Sequence, residues 1–192
     1  IATFKANLQL DANTRLDIEP YYWYGDGGGG FGTTLNESNA FQASVYGAAA
    51  KDLNGDGDTL DRVLVWRNSY THTNRPGINL KLTRQFDNHK LAVGLWYERA
   101  RHRQTQPFVM VDPNGRPMDL WAKTYLITGP NGKVLQGRDQ ETISTARQFF
   151  IQDQITLLKD QLSLDLGLRL PEIQRDGTNY ANNTVGNTFD YS

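Results

Sequence analysis

Apolar and polar side chains alternate along residues 78–103, and this pattern predicts two β-strands joined by a short polar turn. Every second position on either side of the turn is apolar: Ile78, Leu80, Leu82, Leu91, Val93, Leu95 and Tyr97. The positions between them are polar or small, with the exception of Trp96. Because successive side chains leave a strand on opposite sides, a period of two gives one apolar face and one polar face.

The same alternation predicts six strands in all, at residues 2–10, 15–24, 63–83, 89–105, 145–157 and 161–170. The last is the most regular, with leucine at every second position: Leu162, Leu164, Leu166, Leu168 and Leu170. These leucines span roughly the length that a tilted strand needs to cross the hydrocarbon of a bilayer. Asp153 interrupts the apolar face of the preceding strand. The pattern favours transmembrane β-hairpins in an all-β, antiparallel meander.

Short turns and long connections alternate along the chain, and we expect the long ones to be loops at residues 25–62, 106–144 and 171–192. All the short turns then lie at one end, which is typical of outer-membrane barrels. We interpret the glycine run at residues 27–30 as a mobile loop tip. Because proline cannot donate to a ladder, we expect Pro76 and Gly77 to form either a β-bulge or the step where a protruding part of the strand enters the sheet. A smaller hairpin is expected inside the second loop, at residues 125–137.

Aromatic residues cluster near the predicted strand ends, at residues 21–24 and again at Trp96 and Tyr97. Aromatic side chains of this kind sit at the headgroup level of a bilayer. The second cluster is followed by a predicted rim of basic residues, namely Arg99, Arg101, His102 and Arg103. These side chains could attract an anionic cargo, pair with lipopolysaccharide phosphates through bidentate contacts, or form a solvated edge.

Composition removes several classes of protein. The 192 residues suffice for one domain, and a net charge of -1 argues against nucleic acid as a partner. Cysteine is absent, so neither disulfides nor thiol chemistry is expected. The mean hydropathy of -0.60 and the lack of a long apolar run exclude a membrane helix. They do not argue against a barrel, whose strands bury only alternate residues.

Six strands do not close a barrel, since the smallest single-chain barrels have eight. A closed sheet is required in lipid because open edges would leave backbone groups unpaired in the hydrocarbon. The first residue is Ile1, and neither a leader nor a plug is recognisable in the sequence. We therefore expect residues 1–192 to be part of a larger outer-membrane β-barrel.

The first long connection carries a group of oxygen-bearing side chains at alternating positions: Asp52, Asn54, Asp56, Asp58 and Asp61. Such side chains, with Gly57 for the sharp turn, can wrap a Ca²⁺ ion. Val63 stands where a calcium hand places a bidentate Glu, so we expect either a weaker calcium loop closed by Asp58 or Asp61, or a solvated acidic loop.

Catalysis is not indicated by any motif. The three histidines His72, His89 and His102 lack metal-site spacing, and no nucleophile elbow is present. We do not expect an enzyme.

Two pairs of segments resemble a known family. The first pair consists of Phe150-Ile-Gln-Asp-Gln-Ile-Thr and Leu164-Asp-Leu-Gly-Leu-Arg, and it resembles the barrel repeat of TonB-dependent outer-membrane receptors. The second pair consists of Pro20-Tyr-Tyr-Trp-Tyr-Gly-Asp and Glu98-Arg-Ala-Arg-His, and it is similar to an external-rim pattern in some of these receptors. The resemblance implies a bacterial outer-membrane location and a large barrel occluded by a plug, which is absent here. It also implies import of a scarce solute such as a ferric siderophore, driven through TonB. Its partners would be membrane lipid, lipopolysaccharide and a small-molecule cargo.

Two alternatives remain open at this point. The chain could be a complete small barrel with a structural or adhesive role, in which the loop hairpins supply a seventh and an eighth strand. It could also be a secreted β-sandwich that uses the acidic loop for calcium and carbohydrate. The surroundings of the apolar face of the strands distinguish these cases. A barrel exposes this face to lipid acyl chains, whereas a sandwich buries it against a second sheet.

Overall fold

The computed structural model describes residues 1–159 and 161–180, with the backbone of residues 184–185 and 189–191. The strands are Ala2–Thr3 (β1), Ala6–Asp11 (β2), Thr14–Asn36 (β3), Arg62–Phe86 (β4), His89–Met110 (β5), Gln136–Leu157 (β6), Leu162–Asn179 (β7), Thr184–Val185 (β8) and Phe189–Tyr191 (β9). A short 3-10 helix covers Ser44–Tyr46. In the described part of the chain, no helix combines the length and apolar character needed to cross a membrane.

The strands form one antiparallel sheet in which β3 to β7 follow each other as a meander. Strands β1 and β2 both pair with β3 in one register, with Ala2 opposite Tyr22 and Ala6 opposite Ile18. The pairing runs from β1 to β8 without closing on itself in the described residues. The predicted all-β, antiparallel meander is confirmed.

The register places the apolar positions of neighbouring strands opposite each other. One row runs across five strands through Leu16, Leu82, Val93, Ile151 and Leu168, and the next runs through Ile18, Leu80, Leu95, Phe149 and Leu170. Most of these side chains are exposed, and no second sheet covers them in the described residues. We call this side of the sheet the outer face and the opposite side the inner face. The β-sandwich alternative is therefore wrong.

Strand β3 is longer than predicted and contains the glycine run, so residues 27–30 are not a loop tip. Two of these glycines lie beneath aromatic rings from β4. A Cβ at Gly28 would be 2.7 Å from the ring of Tyr70, and a Cβ at Gly30 would be 2.4 Å from Trp66 Nε1. Glycine is a poor strand former on its own, but cross-strand packing decides whether it enters a strand.

The other predicted loops also shrink because the strands extend beyond their apolar parts. Strand β5 continues to Met110 and β6 begins at Gln136, so the second loop covers only residues 111–135. Strand β7 continues through Pro171 to Asn179, where a loop was expected. Part of the remaining predicted loop, at residues 181–192, lies outside the described residues. Backbone pairing extends these strands where side-chain alternation gives no signal.

Pro76 and Gly77 do not form a bulge, which was the first of the two expected arrangements. Tyr22 pairs with Pro76, Tyr21 with Gly77, and Gly77 with Glu98, all in unbroken register. The register shifts lie elsewhere, between Gln9 and Asp11 and between Thr105 and Pro107.

The two remaining connections, residues 37–61 and 111–135, pack together at the end of the sheet opposite the short turns. The hairpin predicted inside the second is confirmed by the bridge between Thr128 and Val134. Its first arm pairs with the end of β5 at Val109 and Leu126, so it adds no barrel-length strand as the complete small barrel required. The loops share a core with the strand ends, formed by Phe41, Tyr46, Val65, Phe108, Ile127 and Leu135. We call this group the loop core.

Candidate functional site

A hydrogen-bonded group occupies the inner face where the apolar rows of the outer face end. Glu98 is only 7% exposed. It accepts a 2.7 Å hydrogen bond from the Tyr21 hydroxyl and bonds of 2.8 and 3.1 Å from Nη2 and Nε of Arg75. Trp96 Nε1 in turn donates to the Tyr21 oxygen at 2.8 Å. The buried carboxylate is thus paired with a guanidinium, which offsets the cost of removing it from water.

This group corrects the interpretation of the aromatic clusters. Tyr21, Trp23 and Trp96 lie on the inner face, whereas Tyr22, Tyr24 and Tyr97 lie on the outer face and are 40 to 49% exposed. Only the second set can contact lipid headgroups. The period of two that located the strands carried this distinction, because adjacent residues of a strand point to opposite faces.

The predicted basic rim is divided between the two faces in the same way. Arg99, Arg101 and Arg103 lie on the outer face, in line with Tyr97, and His102 lies on the inner face with Glu98. His102 Nδ1 is 2.7 Å from the hydroxyl of Thr73, which is itself buried on β4. The four residues therefore do not form one site.

Two of the three outer-face arginines have acidic partners. Arg101 donates from Nε to Glu141 at 2.9 Å. Arg103 pairs with Asp139 and lies over the ring of Tyr180 at 4.9 Å. Arg99 is exposed, and it has no ion pair in the described part of the chain. A third ion pair, Arg147 with Glu172, lies on the same face in the row of Tyr97, one row closer to the lipid-facing residues than Arg99.

The acidic loop is organised by a residue that the sequence interpretation missed. Glu37 is fully buried at the end of β3, and its carboxylate accepts backbone hydrogen bonds from Leu53 at 2.6 Å and from Asn54 and Asp61 at 3.3 Å. Because these amides lie 16 to 24 residues away along the chain, spacing within the loop gave no signal for Glu37.

The loop brings some of the predicted calcium ligands together and uses others internally. Oxygen atoms of Glu37, Asp58 and Asp61 lie within 4.8 Å of one another. Asp52 instead accepts from the backbone N–H groups of Gly55 and Gly57, at 2.6 and 3.0 Å.

The side chains of Asn54 and Asp56 also bond within the loop. Asn54 donates to Asp56 at 3.2 Å and to Asp61 at 2.8 Å. The hydrogen bond with Asp56 raises the pKa of Asp61 above its usual value. The calcium site stays a prediction, with Glu37 added to its candidate ligands.

The architecture defines the class of protein. A meander with exposed apolar rows on one face, polar groups on the other and short turns at one end is the wall of an outer-membrane β-barrel. The sequence matches the family described as TonB dependent receptor-like, beta-barrel, over residues 2–192, and the chain belongs to this family. The resemblance stated from the sequence is thereby confirmed. The family is one of outer-membrane transport barrels, for which TonB and a cargo are the general partners. No curated protein sequence matches the chain.

Proposed function

We propose that this chain forms part of the wall of a TonB-dependent receptor in a bacterial outer membrane and takes part in importing a scarce solute such as a ferric siderophore. The continuous apolar rows, five strands wide and exposed on the outer face, are the observation that supports this proposal. Exposed apolar side chains in such rows are favourable in contact with the acyl chains of lipid and unfavourable in contact with water. The inner face is lined by polar and charged groups, as a path for a hydrated solute requires.

The ends of the strands add support for a receptor that faces the cell exterior. Strands β3 to β6 continue well beyond their apolar parts, and the loop core caps them. External loops and the upper inner wall are where a cargo first meets a receptor barrel. TonB would act through a plug domain, as the resemblance to the family implies.

Lipopolysaccharide is the proposed partner of the outer face. Arg99, Arg101 and Arg103 lie just beyond the exposed ring of Tyr97, at the level where headgroup phosphates meet the barrel. Their position on the outer face favours lipid phosphates over cargo as the bound anions.

Transport can be tested by deleting the gene that encodes this chain. Wild-type and deletion cells are grown on the same medium, and mass spectrometry follows the depletion of each solute. We expect at least one solute to be depleted by wild-type cells only, and the same solute to be spared when TonB is inactivated. Identical depletion profiles contradict the transport proposal. The molecular mass and the iron content of the affected solute together show whether it is a ferric siderophore.

Calcium binding by the acidic loop is a second, separate proposal. The convergence of Glu37, Asp58 and Asp61 supports it. Titration of the complete gene product in detergent with Ca²⁺ should release heat, and Asp58→Asn together with Asp61→Asn should abolish it. The matched control is Asp26→Asn, which removes an acidic side chain outside the loop. No heat from the wild-type protein rejects the site.

A further inference from the structure

Arg67 occupies the centre of the inner face at the end of the sheet that carries the loops. It pairs with Phe31 on β3 and with Phe108 on β5. The guanidinium carbon lies 5.8 and 5.9 Å from the centres of these two rings, within the range of cation–π contacts. Phe108 also belongs to the loop core. Arg67 therefore lies where the barrel wall meets the external loops.

The guanidinium is held by neutral groups. Its Nη2 donates to the side-chain oxygen of Gln106, which is 7% exposed. Gln106 is fixed in turn, since its Nε2 donates to the Ser69 hydroxyl at 3.3 Å and its backbone N–H donates to the Gln136 side chain at 2.9 Å. An amide partner orients a guanidinium without neutralising it.

A glycine makes room for this arrangement. A Cβ at Gly137 would be 2.7 Å from Nε and 2.9 Å from Cζ of Arg67. Gly137 lies at the register shift between β5 and β6, where three residues of β6 span the pairing distance of two residues of β5. The guanidinium can therefore lie against the strand backbone, at the bulge.

The charge of Arg67 is uncompensated. Arg75, Arg101 and Arg103 pair with carboxylates, but Arg67 forms no ion pair in the described residues. Its Nε is buried without an acceptor. Its Nη1 also has no hydrogen-bond partner in the described part of the chain, but unlike Nε it is accessible to solvent. An oriented guanidinium with an open edge matches the geometry of an oxyanion.

We propose that Arg67 binds an oxyanion group, a carboxylate or a phosphate, of the imported solute through Nη1 at the upper inner wall. The adjacent ring of Phe31 is 52% exposed and offers an apolar surface to the rest of the same solute. This site rests on the proposed transport function, because a solute meets the inner wall only on its way through the barrel. It narrows the cargo to solutes with an acidic group.

Chemical protection of the arginines tests the site on the wild-type protein. The complete gene product in detergent is treated with phenylglyoxal, which modifies accessible guanidinium groups, in chloride, phosphate or citrate buffer of equal ionic strength. Peptide mass spectrometry then measures the rate at Arg67. We expect phosphate, citrate or both to slow the reaction at least about fivefold relative to chloride, as a charge-assisted contact would. Protection by citrate alone assigns a carboxylate, and protection by phosphate alone assigns a phosphate.

Arg62 supplies the matched control, because it lies on the same strand with its side chain on the outer face, bonded to Thr34 at 3.0 Å. Its modification rate should be the same in all three buffers. Equal rates at Arg67 in the three buffers, or equal protection of Arg62, overturn the proposal.

The outcome is separable from that of the transport proposal. A transport defect in the deletion strain without protection of Arg67 rejects the anion site alone. Protection of Arg67 without any transport defect rejects transport and retains an anion site. Where a solute is found, Arg67→Gln should impair its uptake and Arg62→Gln should not.

Discussion

The ring of Tyr21 lies directly across Gly77 on the neighbouring strand, so closely that a Cβ at Gly77 would be 2.2 Å from Cζ of the ring. The contact places the Tyr21 hydroxyl within 2.7 Å of Glu98. Gly77 is therefore a requirement of the inner-face hydrogen-bonded group.

Gly77→Ala should lower the free energy of unfolding by about 1–3 kcal/mol, because the tyrosine ring must move to make room. The measurement is urea unfolding of the complete gene product in lipid vesicles, followed by tryptophan fluorescence. Gly29→Ala is the control, since no atom lies within 4 Å of its added Cβ. Equal unfolding midpoints for the two variants contradict this account of Gly77.

Ile151→Arg should destabilise the folded state in lipid by about 2–4 kcal/mol, as expected for a charge facing the middle of the bilayer. Its neighbour Gln152 lies on the inner face and is exposed, so Gln152→Arg should change stability little. Folding into vesicles, assayed by heat-dependent migration on gels, measures both. A similar loss for both variants argues against the assignment of faces.

Glu37→Gln should lower the free energy of opening of the acidic loop by about 1–3 kcal/mol, because an amide NH₂ group replaces one of the two oxygens that accept hydrogen bonds from the backbone. Amide hydrogen exchange at residues 53–61 is the measurement, and exchange should accelerate there. Ser38→Ala, at an exposed neighbour, should leave exchange unchanged. Unchanged protection in Glu37→Gln means that the carboxylate does not organise the loop.

The turn after Asp119 should depend on pH. Its carboxylate accepts backbone hydrogen bonds from Thr124, Trp121 and Lys123, each at 2.8 Å, and these lower its pKa from the usual 3.8 to about 2. A lowered pKa in the folded state contributes stability above pH 3.8 that is lost as the pH falls through 2.

Protection factors of residues 121–124, corrected for intrinsic exchange, should be constant above pH 4 and fall near pH 2 in the wild-type protein. In Asp119→Asn they should be low at every pH. A wild-type profile that does not change down to pH 2 contradicts the role of the carboxylate.

Replacing Arg99, Arg101 and Arg103 together by Gln should weaken lipopolysaccharide binding by about three- to fivefold, the effect expected of exposed ion pairs. Binding is measured with lipopolysaccharide vesicles at low and high salt, and salt should reduce the difference. His102→Gln, on the inner face, should bind as the wild type does. Equal binding of the triple variant rejects the proposed partner.

The apolar strand segments were predictable because the alternation that a bilayer requires is present in the sequence. Leu80, Leu95 and Phe149, which share one row of the sheet, each belong to an alternating segment of their own strand. The strand extensions were not predictable in the same way. Residues 27–36 and 171–179 join the sheet through backbone pairing, which leaves no periodic signal in the side chains.

The candidate sites depended still more on tertiary structure. The basic run after Tyr97 was visible, and the period of two placed Arg101 and His102 on opposite faces. The tertiary structure decided that Arg101 meets Glu141 and that His102 meets Thr73. Glu37 and Arg67 carried no recognisable motif. Their roles come from burial and from partners on segments that lie far away along the chain.

The sequence by itself determined the class of fold, the short turns and the apolar surface, because each of these depends on residues close together along the chain. Only the tertiary structure decided which polar groups meet on the inner wall and in the loops. The physical reason is that hydrogen bonds and charge pairs act between atoms a few ångströms apart, and here those atoms come from different strands.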